Sequence, residues 1–290
     1  PFSHVFFLML ATVVFVFLAT YRLSENPPTW LDEGTVVQVS INLAQSGIYG
    51  IQTAPNTFIN VDFLTTSFPV IYPVAASLLV FGTDIVHARA VMVVFMALLV
   101  VLVYLLFSAV ARENKSTITL ASVFLLVTFA PLYGHGKNVL GEIPGLVYFV
   151  ASLCVLAYAE RHPRTWLWAL AGVFAGLSMA TKPIYLFIIA PSTLLVAIFY
   201  RKQFSLNQAL AYTGGALAVL SLWCVVHFSD VAALTQILTS ANAANVPLVE
   251  RISESAKQFI TQLQPLYFLL LLALWWASLA YRYARGIAIG

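Results

Sequence analysis

Apolar runs of about 20 residues recur along the chain, and a helix of that length crosses the hydrocarbon core of a bilayer. There are about eight of them, with ends near 2–21, 85–110, 117–132, 142–159, 165–180, 183–199, 206–228 and 265–281. Inside lipid the backbone must satisfy its own hydrogen bonds, which leaves helices or closed barrels. A barrel would need strict alternation of apolar and polar residues, and none is visible. Charged residues make up only 9% of the chain and hydrophobic ones 61%, against about 25% charged in a soluble domain. The sequence therefore specifies an all-α polytopic membrane protein with about eight spans.

Residues 22–84 form a long first loop. Within it, 33–46 reads as an interfacial helix, with Gln38, Asn42 and Gln45 on one face and Val37, Ile41 and Ala44 on another. Gly47 is placed to stop it. Residues 133–138 read as a short loop between two spans, and 229–264 as a second long loop. The whole of 1–290 reads as one transmembrane domain, truncated at both ends: it starts at Pro1, and 285–290 looks like the opening of a further segment. Gly172 and Gly176 form a small-xxx-small pair that permits close helix packing. Cys154 and Cys224 lie in apolar runs and read as small buried hydrophobes.

The net charge is +3 and there is no basic run, so nucleic acid is not an expected partner. Arg112, Lys115, Arg161, Arg164, Arg201, Lys202, Arg282 and Arg285 fall on one side if the spans alternate. By the positive-inside rule that side is cytoplasmic. The first loop, Lys137, Lys182 and 229–264 then face outward, and the protein is expected in a bacterial inner or cell membrane.

Few polar side chains are available for chemistry. Asp32 and Glu33 stand together just past the first span. Asp32 reads either as the cap of a helix starting at Glu33 or as a general base at the membrane surface. Glu142 opens the fourth span, as a first-turn acid or as a second acid of a site. Lys137, close before it, opposes a helix N-terminus, and a nearby anion would account for that. Lys182 closes the fifth span, where it either complements the helix end or binds a phosphate as a point charge. Arg89 reads either as a snorkelling side chain or as a phosphate binder. Tyr72 could donate to a phosphate or a sugar, and His135 is a candidate ligand. Nucleotide-binding loops, zinc-protease signatures and nucleophile elbows are absent from the sequence.

Five pieces in order resemble a known family. They are Asp32-Glu33-Gly34, the stretch from Phe68 to Pro73, His87-Ala88-Arg89, the stretch from Gly136 to Pro144, and the stretch from Gly176 to Pro183. Together they resemble the polytopic glycosyltransferases of the GT-C fold, in the branch of protein mannosyltransferases and aminoarabinose transferases. The likeness covers about residues 1–200. It implies a GT-C bundle whose first outer loop carries the catalytic acid, and a polyprenyl-phosphate-linked sugar as donor. It also implies a lipid, glycan or protein acceptor. Carried onto this chain, Asp32 would activate the acceptor and Glu142 would be the second acid. Lys182 would touch the lipid phosphate, with Lys137, Arg89 and Tyr72 as further donor-site candidates and Glu33 and His135 secondary. Some members hold a divalent metal near these acids, and here only His135 could add a ring nitrogen. The chemistry suits the residues independently, because a phosphate-linked sugar needs a base for the nucleophile and cations for the departing phosphate. Two alternatives remain: a structural subunit of a membrane complex, and a secondary transporter, which should show internal repeats.

Overall fold

The computed structural model describes residues 2–111, 113–162, 164–199, 205–229, 253 and 257. The chain forms two compact units, 1–238 and 239–290. In the second, Ser253 and Lys257 are helical and exposed. All elements named below belong to the first.

Ten helices and one small sheet are present among the described residues. Helix α1 is Phe2–Thr20, α2 Leu31–Ser46, α3 Phe68–Phe81, α4 Ile85–Val110 and α5 Lys115–Val127. The chain continues through α6 Ala130–Gly136, α7 Glu142–Ala159, α8 Thr165–Thr181, α9 Ile184–Phe199 and α10 Leu206–His227. Helices α4, α7 and α10 are long and apolar enough to cross a membrane, and α5 with α6 makes a fourth such span bent by 48°. Helices α1, α3, α8 and α9 are apolar but shorter. The expected span at 265–281 and nearly all of the 229–264 loop lie outside the described residues.

The third expected span is broken. A bend at Thr128–Phe129 separates α5 from α6, and Pro131 supplies the reason, since it has no N–H to give to the preceding turn. Helix α6 then runs through Tyr133 and His135 to Gly136, so most of the stretch read as a loop is helical. Between α2 and α3 the chain also makes an antiparallel hairpin, β1 Ile51–Ala54 with β2 Thr57–Ile59. Its β-branched residues flank a Pro55-Asn56 turn in which Asn56 takes a φ of 58°.

Helix α2 ends as expected, with Gly47 left-handed at φ 68°. Its polar stripe, however, holds the hairpin. The Gln38 amide donates to the Gln52 carbonyl (3.1 Å) and the Asn42 amide to the Gly50 carbonyl (2.8 Å). Its buried face is Glu33, Val36, Val37 and Ser40, spaced i, i+3, i+4, i+7.

Close backbone packing joins α8 to α10. A Cβ on Gly172 would lie 1.9 Å from the Tyr212 carbonyl oxygen, and one on Gly176 2.8 Å from that of Ala216. The Ser152 hydroxyl donates to the Ala171 carbonyl and the Ser178 hydroxyl to the Gly145 carbonyl (2.8 and 2.7 Å), pinning α7 to α8. These contacts sort the helix ends into two groups. At one end Ser116, opening α5, meets His4 in α1, and Arg161 beyond α7 donates to the Ala109 carbonyl of α4. At the other end meet the end of α1, the starts of α2, α4 and α7, and the ends of α8 and α10. The candidate site residues gather at that second end, with Tyr72 reaching it through its stack on Tyr49, beside His227, and His135 lying at the close of α6 next to Lys137.

Candidate active site

Two adjacent acids of α2 have opposite surroundings. The helix starts at Leu31, with Trp30 at its N-cap and no side-chain cap. Asp32 is therefore a first-turn residue rather than the cap, which corrects one of its two expected readings. It is exposed, and among the described residues it has no hydrogen-bond or ion-pair partner. Glu33 lies about 100° further round the helix, on the buried face, and is 0% exposed. Arg89 Nε donates to its Oε1 (2.8 Å), Arg89 Nη2 to its Oε2 (2.7 Å), and the Val139 N–H to Oε1 (3.1 Å).

Arg89 lies on the buried stripe of α4 with Met92, Met96 and Leu99, and it too is 0% exposed. Besides Glu33 it donates from Nη1 to the Leu23 carbonyl (2.9 Å) and from Nη2 to the Thr29 hydroxyl (3.3 Å). Its guanidinium is enclosed by these partners. It ties the turn after α1, the start of α2 and the loop before α7 together.

Lys137 is buried as well. Its ammonium donates to the Tyr21 carbonyl (2.9 Å). Burial first, and then the charge of Arg89, push it below the usual lysine range. A neutral backbone carbonyl, not the expected anion, is its partner among the described residues. His135 is exposed on α6, and its ring has no hydrogen-bond partner among the described residues.

Glu142 and Lys182 do come together. Lys182 Nζ is ion-paired to Glu142 Oε1, with the lysine side chain 21% and the glutamate 47% exposed. The Tyr185 hydroxyl donates to the Glu142 carbonyl (2.5 Å). This approach depends on Gly141, where a Cβ would sit 2.8 Å from the Thr181 carbonyl oxygen and 3.2 Å from Lys182 Cβ. Gly141→Ala should therefore lower stability by about 1–3 kcal/mol through overpacking. Gly134→Ala, which meets nothing within 4 Å, should be neutral or gain up to about 1 kcal/mol of helix propensity. Thermal unfolding in detergent compares the two, and equal midpoints would remove the tight approach at Gly141.

Several residues of this end carry no sequence signal. Thr66 and Ser67 bond the chain next to Glu142 and Lys182. Buried His227 accepts from the Tyr49 hydroxyl at Nδ1 (3.1 Å) and donates from Nε2 to the Leu64 carbonyl (3.0 Å), the roles a neutral ring must take with a carbonyl at Nε2. Asp62 accepts from the Ser229 N–H (2.9 Å) and hydroxyl (2.5 Å). Tyr72 stacks on Tyr49 with ring centroids 6.0 Å apart, and its hydroxyl has no hydrogen bond among the described residues. Among the described residues no three His, Cys, Asp or Glu side chains gather as a metal set.

Residues 68–228, from α3 to the end of α10, match the family model described as dolichyl-phosphate-mannose-protein mannosyltransferase. The chain belongs to this family. No curated protein and no solved structure matches it. Membership makes it a membrane glycosyltransferase that uses a polyprenyl-phosphate-linked sugar donor, and its apolar helices make it an integral, multi-pass protein. The family match includes Tyr72, Arg89, His135, Lys137, Glu142 and Lys182, while Asp32 and Glu33 precede it.

Proposed function

We propose that this mannosyltransferase-family chain transfers sugar at the end of the bundle where Asp32, Glu142 and Lys182 stand, and that this end faces the outer side of the membrane. The Glu142–Lys182 pair carries the reading. It joins a half-exposed anion to a more covered cation on two helix ends, placed by a glycine approach and a tyrosine bond. An exposed ion pair contributes little stability, commonly 0–1 kcal/mol, so stability alone does not account for such construction.

Lys182 is the cation for the donor phosphate. On binding, it exchanges the Glu142 carboxylate for the phosphate, which frees Glu142 as the second acid. Asp32 is the general base. It takes the proton of the acceptor hydroxyl as that oxygen bonds to the anomeric carbon. The bond from that carbon to the phosphate oxygen breaks, and polyprenyl phosphate leaves with the electron pair, its charge neutralised by Lys182. That Asp32 is exposed and unengaged among the described residues, while Glu33 is enclosed by Arg89, supports this division between the two acids. Tyr72, whose hydroxyl has no hydrogen bond among the described residues, is a further donor contact. Acceptors of the class are glycans or proteins. The positive-inside reading of the basic loops supports the outer face.

Polyprenyl phosphate binding to the protein in nanodiscs tests the reading. Lys182→Ala should weaken binding by about tenfold, the range of a charge-assisted contact. Lys182→Arg should recover part of it. Equal affinity across wild type and both variants would end the phosphate role.

A further inference from the structure

Immediately before α3, two neighbouring buried residues reach across the bundle end in different directions. Ser67 occupies the N-cap position of α3, where a serine oxygen ordinarily accepts from the first-turn amides. It makes no such cap. Its hydroxyl instead donates to the Ala180 carbonyl (2.5 Å), and its N–H to the Thr181 carbonyl (3.4 Å). Both carbonyls belong to the last turn of α8, whose terminal oxygens have no partner within the helix. The residue that follows them is Lys182. Thr66 turns the other way, and its hydroxyl oxygen accepts from the Gly141 N–H (3.2 Å). The residue after Gly141 is Glu142.

Thr66 and Ser67 are each 2% exposed. The segment that carries them is held at its far end too. The Leu64 carbonyl accepts from His227, and Asp62 accepts twice from Ser229, both at the close of α10. The strap from 62 to 67 is thus tied to the close of α10 at one end and to the backbone just before Glu142 and Lys182 at the other.

We infer that Thr66 and Ser67 are positioning residues that set the register of Glu142 against Lys182. The inference rests on the phosphate role of Lys182 proposed above. Neither side chain touches the donor. They act by fixing the backbone one residue away from each charge, so that Lys182 meets an incoming phosphate at the right place.

The test is polyprenyl phosphate affinity of the full chain in nanodiscs, with thermal unfolding measured alongside. Ser67→Ala should weaken binding about fivefold in the wild-type background and add nothing in a Lys182→Ala background. That non-additivity marks a residue acting through another. Thr66→Val, isosteric but without the acceptor, should weaken binding severalfold, and Thr66→Ser should restore it to within twofold. If Ser67→Ala weakens binding by the same factor with and without Lys182, its effect runs elsewhere and the inference fails. Unchanged binding in Ser67→Ala and Thr66→Val, where Lys182→Ala does lose affinity, also overturns it. Unchanged binding in Lys182→Ala removes the phosphate site, and the inference with it.

Discussion

Asp32→Asn should leave the fold and thermal stability nearly unchanged and should lower glycosyl transfer by about 10²-fold or more, which is at least about 2.7 kcal/mol of barrier. The stability half of this expectation comes from the surroundings. The side chain is exposed and caps nothing, since Trp30 holds the N-cap position. What Asn loses there is the attraction of a carboxylate to the start of α2, under about 1 kcal/mol. The activity half comes from chemistry. Asn does not take a proton from an acceptor hydroxyl at neutral pH. Transfer is read as release of polyprenyl phosphate from a polyprenyl-phosphate sugar in native membranes, beside the unfolding midpoint of the purified variant. An Asn variant with wild-type turnover moves the base to Glu142.

The contrast with Glu33 was legible in the chain, though only through the helix period. Glu33, Val36, Val37 and Ser40 repeat at i, i+3, i+4, i+7, which places the glutamate at the head of the buried stripe. Its neighbour must then face another way. Arg89 repeats with Met92, Met96 and Leu99 in the same manner on α4. Three of the expected spans were plain because apolar length is a local property: α4, α7 and α10 start and stop within a residue of expectation. The bend at Thr128–Phe129 was less plain, because Pro131 can either kink a helix or open a new one. The hairpin at 51–59 was hidden because strands of four and three residues have too short a pattern to register. What no sequence pattern could give is the long-range pairing. Ser67 reaches residue 180 and His227 reaches Leu64, contacts set by packing of elements more than a hundred residues apart. Glu142 and Lys182, 40 residues apart, were both singled out, yet only the packing of α7 on α8 joins them.

Arg89→Met should be the most destabilising single change at this end of the bundle, at about 3–5 kcal/mol. Removing one partner of a buried ion pair leaves the other charge without compensation. Here that charge is Glu33, 0% exposed, which among the described residues keeps only the Val139 N–H as a donor. The Leu23 carbonyl and Thr29 hydroxyl lose their guanidinium donor as well. Replacing both charges, as in Glu33→Met with Arg89→Met, should recover part of the loss, because no unpaired charge is then left in the interior. Recovery stays incomplete, since the Val139 N–H and Leu23 carbonyl are still without partners, at about 1–3 kcal/mol for each such group. Unfolding midpoints in one detergent, for the two single variants and the double, form a complete cycle. A double variant whose loss equals the sum of the two single losses would mean that Glu33 and Arg89 act independently. The pair would then not hold the turn after α1, the start of α2 and the loop before Glu142 as one unit. Transfer should track this cycle too, because that loop leads in three residues from Val139 to Glu142, and a shift at its start is carried to the ion pair with Lys182.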